Sequence, residues 1–229
     1  MLPADSTRRT VTDQPATRLP WISLALVASA LALMPFEGLT TWLQYDRAAI
    51  DAGQLWRLLT CQLSHWSWDH LFWDAAALLF LGYVLEREAR RPMLICLGLS
   101  AVLIPAIVHF GLPDLATYRG LSGIDSAVFV LLAVTLLRKC YADGDQLWTW
   151  ACIMMLVGFT AKITFELFSG ATLFVDAQAS RMLPVPLAHV VGGALGAACG
   201  WFAGQTPPAQ DSQQEGTCLA YSAVADFRR

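Results

Sequence analysis

Polar and apolar residues are segregated into long alternating blocks along this chain. Residues 1–18 are polar, rich in Thr, Asp and Arg, and read as a tail. Six apolar blocks follow, near Leu19–Phe36, Asp69–Leu85, Met93–Phe110, Gly120–Leu137, Leu147–Phe168 and Pro184–Gly204. Each is close to the roughly 17–25 residues that a helix needs to cross a bilayer. Beyond Gly204 the chain is polar again, with Pro207-Pro208 and a Gln/Asp/Glu stretch. The pattern predicts an all-α polytopic membrane protein: a tail over 1–18, a six-helix membrane domain over 19–204 and a second tail over 205–229. The first block also fits a secretory signal peptide, with Arg18 ahead of a run containing "ASALA". Its cleavage would leave five spans and the same orientation.

Composition agrees with this reading. The chain is 56% hydrophobic and 14% charged, where a soluble domain has about 45–50% and 25%. A net charge of −3 gives no reason to expect a nucleic-acid partner. The cysteines are scattered through or beside the apolar blocks without a C-x-x-C pair, so they read as small packing residues. No metal or cofactor is expected.

Lys and Arg concentrate on the cytoplasmic side of membrane proteins. With the N-terminus inside, that side holds Arg8, Arg9, Arg18, Arg87, Arg90, Arg91, Arg138, Lys139, Arg228 and Arg229. The outer side holds only Arg47, Arg57, Arg119 and Arg181, while Lys162 lies within a span. Both termini are therefore expected in the cytoplasm. The tryptophans fall at predicted span ends or in the loop Glu37–Trp68, which is expected to lie in the outer interface.

In this topology the second, fourth and sixth helices run from outside to inside. Near their starts lie His70 and Asp74, Ser122 and Asp125, and His189. Ionisable groups inside a membrane are costly and usually face a bundle interior or a wet cavity. Five polar side chains far apart in sequence thus converge on one level. Serine becomes nucleophilic when a base takes its proton, and histidine is the usual base. Ser122 begins its helix, where free N–H groups and the positive dipole end can stabilise an oxyanion. Gly120 and Gly123 would leave the backbone open to a substrate. Glycines 192, 196, 200 and 204 form a ridge suited to close helix packing, which would bring His189 to Ser122. Each feature has a blander explanation as helix-packing glue, and "GLSG" alone is a weak match.

Taken together, the motifs resemble those of the rhomboid intramembrane serine proteases, from about Leu55 to Gly204. "LWRLLT" is similar to the family's Trp-Arg motif and contains Trp56 and Arg57. "HLFWD" falls on its H-x-x-x-N motif, and "GYVLE" ends that helix with Glu86. "GLSG" is similar to the nucleophile motif, and "AHVVGGALG" to A-H-x-x-G-x-x-x-G, with Gly192 and Gly196. The resemblance implies a Ser122–His189 dyad without a required third member. It further implies an oxyanion hole of His70 and the Ser122 amide, and structural roles for Arg57 and Glu86. The implied substrates are single-pass membrane proteins, and the implied setting is a bacterial inner (cytoplasmic) membrane. It assigns no role to the Lys162–Glu166 pair. The compact core also resembles the rhombosortase branch, which processes proteins with C-terminal Gly-Gly anchors.

Two positions depart from the family pattern. Asp74 replaces its asparagine, and Ser126 replaces an aromatic that stacks on the catalytic histidine. Asparagine donates through its amide, whereas an ionised aspartate only accepts. Asp74 is thus expected either to be protonated and donate, the preferred expectation, or to hold His70 or a buried water. Asp125 and Ser126 are further candidate modulators. The alternatives are a catalytically inactive rhomboid-like protein that binds membrane helices, and a small proton-coupled transporter. The latter predicts inverted repeats, which the sequence does not display.

Overall fold

The computed structural model describes residues 19–172 and 185–203; both expected tails, Arg181, Pro184 and Gly204 lie outside them. Each of the six apolar blocks lies on a helix. These are α1 (Trp21–Leu33), α5 (Trp68–Glu88), α6 (Arg90–Gly111), α7 (Ser122–Ala142), α8 (Gln146–Ser169) and α9 (Pro186–Ala203). Between α1 and α5 come three short α-helices, α2 (Glu37–Leu43), α3 (Arg47–Asp51) and α4 (Arg57–Thr60), the last followed by a 3-10 turn over Cys61–Leu63. Among the described helices, α6, α8 and α9 are long and apolar enough to cross a membrane.

Local signals set the ends of these helices. The Ser67 side chain accepts from the His70 N–H at 3.1 Å and caps α5. Asp145 does the same for α8, accepting from the Trp148 N–H at 3.2 Å. Gly170 ends α8 in the left-handed region, φ +67°, which a Cβ would disfavour. Helix α1 has only 13 residues, about 20 Å of rise. It is shorter than the expected block because Pro35 has no N–H to continue the ladder.

Glu86, at the far end of α5, holds the start of α1. Its carboxylate accepts from the Ile22 N–H at 3.2 Å, the Ser23 N–H at 2.8 Å and the Ser23 hydroxyl at 2.8 Å. A carboxylate there satisfies orphan donors and complements the helix dipole.

The loop expected over Glu37–Trp68 is folded around two buried guanidinium groups. Arg57 donates to Gln54 Oε1 at 2.8 Å and to the Thr41 and Gln44 carbonyls, both at 3.0 Å. Arg119 donates to Gln44 Oε1 at 2.8 Å and the His65 carbonyl at 3.2 Å, with Trp66 beneath it. Two residue pairs of antiparallel strand, β1 (Tyr45–Asp46) on β2 (Thr117–Tyr118), add β structure that the all-α expectation did not include. They tie the loop to the segment immediately before Ser122. Trp56 stays part-exposed against Trp42, ring centroids 5.4 Å apart.

Helix α7 is central and packs against α5, α6, α8 and α9. Its tightest seam is with α9. A Cβ on Gly192 would lie 2.1 Å from the Gly123 carbonyl oxygen, and one on Gly196 would lie 2.1 Å from that of Ala127. Only glycine permits so close a backbone approach. Helix α8 is the least covered of the three long apolar helices and leans mainly on α7 and α9.

Candidate active site

The α7–α9 seam places two side chains opposite each other. Ser122 Oγ lies 3.1 Å from His189 Nε2, within hydrogen-bonding distance. Ser122 is the first residue of α7. Helix geometry leaves the first N–H groups without intrahelical acceptors, so donors and the positive dipole end surround the serine. The pair opens onto a cavity of about 590 Å³ between α5, α7, α8 and α9. Trp73, Phe129 and Phe159 give its wall an apolar character, and His70, Asp125 and Lys162 add polar groups.

Gly120 precedes the serine with φ +122°, and a Cβ there would lie 2.7 Å from His70 Cε1. This position requires glycine for both backbone conformation and space. Neither Gly120 nor Gly123 is among the residues that line the cavity. Gly120 faces His70 and Asp74, and Gly123 is packed against Ile104 and the Ala188 carbonyl.

Asp74 is an acceptor in this arrangement. Its Oδ2 takes the Leu121 N–H at 2.9 Å, with His65 Nε2 at 3.2 Å and His70 Nε2 at 3.3 Å. Three nitrogen groups around one carboxylate oxygen favour the accepting role over the preferred expectation of a protonated donor. Asp74 thereby fixes the residue before the serine and braces two imidazoles. His65, which sequence reasoning did not single out, is 2% exposed and enters the cluster from the loop before α5. Ser126 donates its hydroxyl to the Ser122 carbonyl at 2.9 Å. Asp125 lines the cavity, 8% exposed, and its carboxylate has no hydrogen-bond partner among the described residues.

The far edge of His189 meets the pair to which no role was assigned. Glu166 Oε2 lies 2.7 Å from His189 Nδ1. Lys162 Nζ lies 3.0 Å from Glu166 Oε1, 3.1 Å from Oε2 and 3.2 Å from His189 Nδ1. The i,i+4 spacing was visible in the sequence, but not the histidine it serves.

The Rhomboid domain model matches residues 52–206, covering the second half of the loop, the Ser122 segment and the His189 helix. The chain belongs to the rhomboid family, whose members are generally intramembrane serine proteases, and is an integral membrane protein. Comparison with curated proteins gives no match.

Proposed function

We propose that this protein is an intramembrane serine endopeptidase that cleaves single-pass membrane proteins near the outer face of the bilayer. The observation that carries this reading is the 3.1 Å contact between Ser122 Oγ and His189 Nε2 in the wall of the cavity. His189 accepts the serine proton as Oγ attacks the scissile carbonyl, and returns it to the leaving amine. The Ser122 amide and neighbouring N–H groups at the start of α7 receive the oxyanion. Asp74 and His70 support that end of the site. Water then enters through the polar part of the cavity and releases the acyl group.

Six helices cross the membrane in this reading, with both termini inside, as the basic residues distribute. The held start of α1 supports its retention as part of the bundle. Substrates carry a locally weak helix at the cut, because a stable helix engages its own carbonyls.

Co-expression with a panel of tagged single-pass proteins tests the reading. Cleavage should occur with the native protein and disappear with Ser122→Ala and with His189→Ala, at unchanged expression. Cleavage that persists in either variant contradicts the assignment. Equal capture of uncleaved helices by native protein and both variants, without any cleavage, would favour the inactive helix-binding alternative.

A further inference from the structure

We propose that Glu166 is a positioning residue of the site, orienting His189 so that its Nε2 can take the serine proton, and that Lys162 braces the Glu166 carboxylate in that orientation. The proposal rests on the protease reading given above.

Imidazole carries one proton when neutral, and the nitrogen that holds it decides whether the ring can act as a base toward Ser122. Nε2 faces the serine at 3.1 Å. Its lone pair is free only if the proton sits on Nδ1, and an acceptor at Nδ1 enforces that tautomer. Glu166 Oε2, 2.7 Å away, is that acceptor. Serine, histidine and glutamate thus form a continuous chain from α7 through α9 to α8.

A carboxylate inside a membrane protein is costly unless it is paired, and Glu166 has two partners, His189 and Lys162. Lys162, one turn earlier, places its ammonium within 3.1 Å of both Glu166 oxygens. Lys162 and Glu166 are the only charged residues of α8, and both turn toward His189. Glu166 is 2% exposed, which excludes a merely solvated surface pair. The ammonium also lies 3.2 Å from Nδ1 and can only donate. It therefore favours the opposite tautomer, with the Nε2 proton pointing at Ser122. The shorter, charge-assisted contact to Glu166 sets the balance toward the productive ring.

The charged and titratable groups around His189 come from several helices. Helix α8 supplies Lys162 and Glu166, α7 supplies Asp125 beside Ser122, and α5 supplies His70 and Asp74 across the cavity. His109 of α6 is engaged with Tyr45 and Asp51. Of these groups, only Glu166 and Lys162 reach Nδ1.

The two α8 residues should move the pH profile in opposite directions. A carboxylate at Nδ1 favours the imidazolium, which cannot accept a proton, so its removal shifts the acid limb of activity to lower pH. An ammonium disfavours the imidazolium, so its removal shifts the acid limb to higher pH.

The test is the pH profile of kcat and KM for a cleavable membrane substrate in proteoliposomes, with native protein, Glu166→Gln, Glu166→Asp, Lys162→Met and Ser122→Ala. Glu166→Gln should lower kcat on the order of 10³-fold or more, by analogy with loss of the tautomer-holding carboxylate elsewhere. KM should stay within a few-fold and the acid limb should move down. Glu166→Asp should recover part of the rate, and Lys162→Met should keep measurable cleavage with the acid limb moved up. Native kcat and pH profile in Glu166→Gln would overturn the proposal, as would acid limbs moving the same way in both variants. Should Glu166→Gln fail to accumulate, Glu166→Asp and Lys162→Met decide the matter through the direction of the acid limb. Ser122→Ala separates the two levels: its cleaving like native protein would refute the protease reading itself, whatever Glu166 does.

Discussion

Gly192→Ala adds one methyl group at the seam that brings the two reacting side chains together. The new Cβ would lie 2.1 Å from the Gly123 carbonyl oxygen, 3.1 Å from its carbon and 3.3 Å from the Ala127 nitrogen. All three are backbone atoms of α7, so no side chain can swing aside. Relief requires the helices to separate by roughly 1 Å, an overpacking that costs about 1–3 kcal/mol. His189 is three residues earlier on α9, and Ser122 adjoins Gly123, so the separation acts directly on their 3.1 Å contact. Opened to roughly 4 Å, that contact is no longer a hydrogen bond. A misplacement of about 1 Å can cost about 10²-fold in rate. Initial cleavage rates in proteoliposomes and thermal unfolding in detergent measure the two effects separately. Gly98→Ala on α6 is the control, because its Cβ would meet nothing within 4 Å. Gly196→Ala clashes as closely with Ala127, two turns from His189, and should lose comparable stability with a smaller loss of rate. Native rate and native unfolding temperature in Gly192→Ala would refute the packing argument.

Two further substitutions probe the groups that hold the site. Asp74→Asn weakens the acceptor shared by the Leu121 N–H, His65 and His70. It should lower cleavage by about 10- to 150-fold, the loss of one charge-assisted bond being worth about 1.5–3 kcal/mol. Asp74→Ala should fall further, toward His70→Ala. Native or higher activity in Asp74→Asn, with native activity falling as pH rises, would instead establish a protonated donor. Glu86→Ala removes the three bonds that hold the start of α1 and leaves the buried Ser23 hydroxyl without that partner. It should destabilise the protein by about 2–3 kcal/mol, read as a lowered unfolding temperature in detergent.

The long helices were legible because hydropathy is a local property that a bilayer selects for directly. Block and helix agree within a few residues, as in Met93–Phe110 against α6, which reaches back to Arg90 because a basic first turn need not be apolar. The loop before α5 was less legible. Its strand pairing joins Tyr45 to Tyr118 across more than seventy residues, and two-residue strands carry no alternation to read. Arg119 counted in the sequence only as a charge on one side of the membrane, although it is 5% exposed and bonded into the loop.

Within the candidate site, motif order pointed to Ser122, His189, His70 and Asp74, but not to their hydrogen bonds. The choice between donor and acceptor at Asp74 depended on Leu121, an apolar residue whose backbone N–H no side-chain pattern reports. His65 and Glu166 were missed for a related reason. Each acts through a partner on another element, and such a meeting is fixed by packing rather than by spacing along the chain.

Covalent labelling at Ser122 tests the central claim most directly. Detergent-purified protein would be treated with a serine-directed mechanism-based inhibitor such as an isocoumarin, and the adduct located by intact-mass and peptide mass spectrometry. The proposed chemistry predicts a single adduct on Ser122, absent from Ser122→Ala and strongly slowed in His189→Ala, in a preparation that cleaves a membrane substrate. Cleavage by a preparation whose Ser122 remains unlabelled, or equal labelling of Ser122→Ala at another residue, would contradict it.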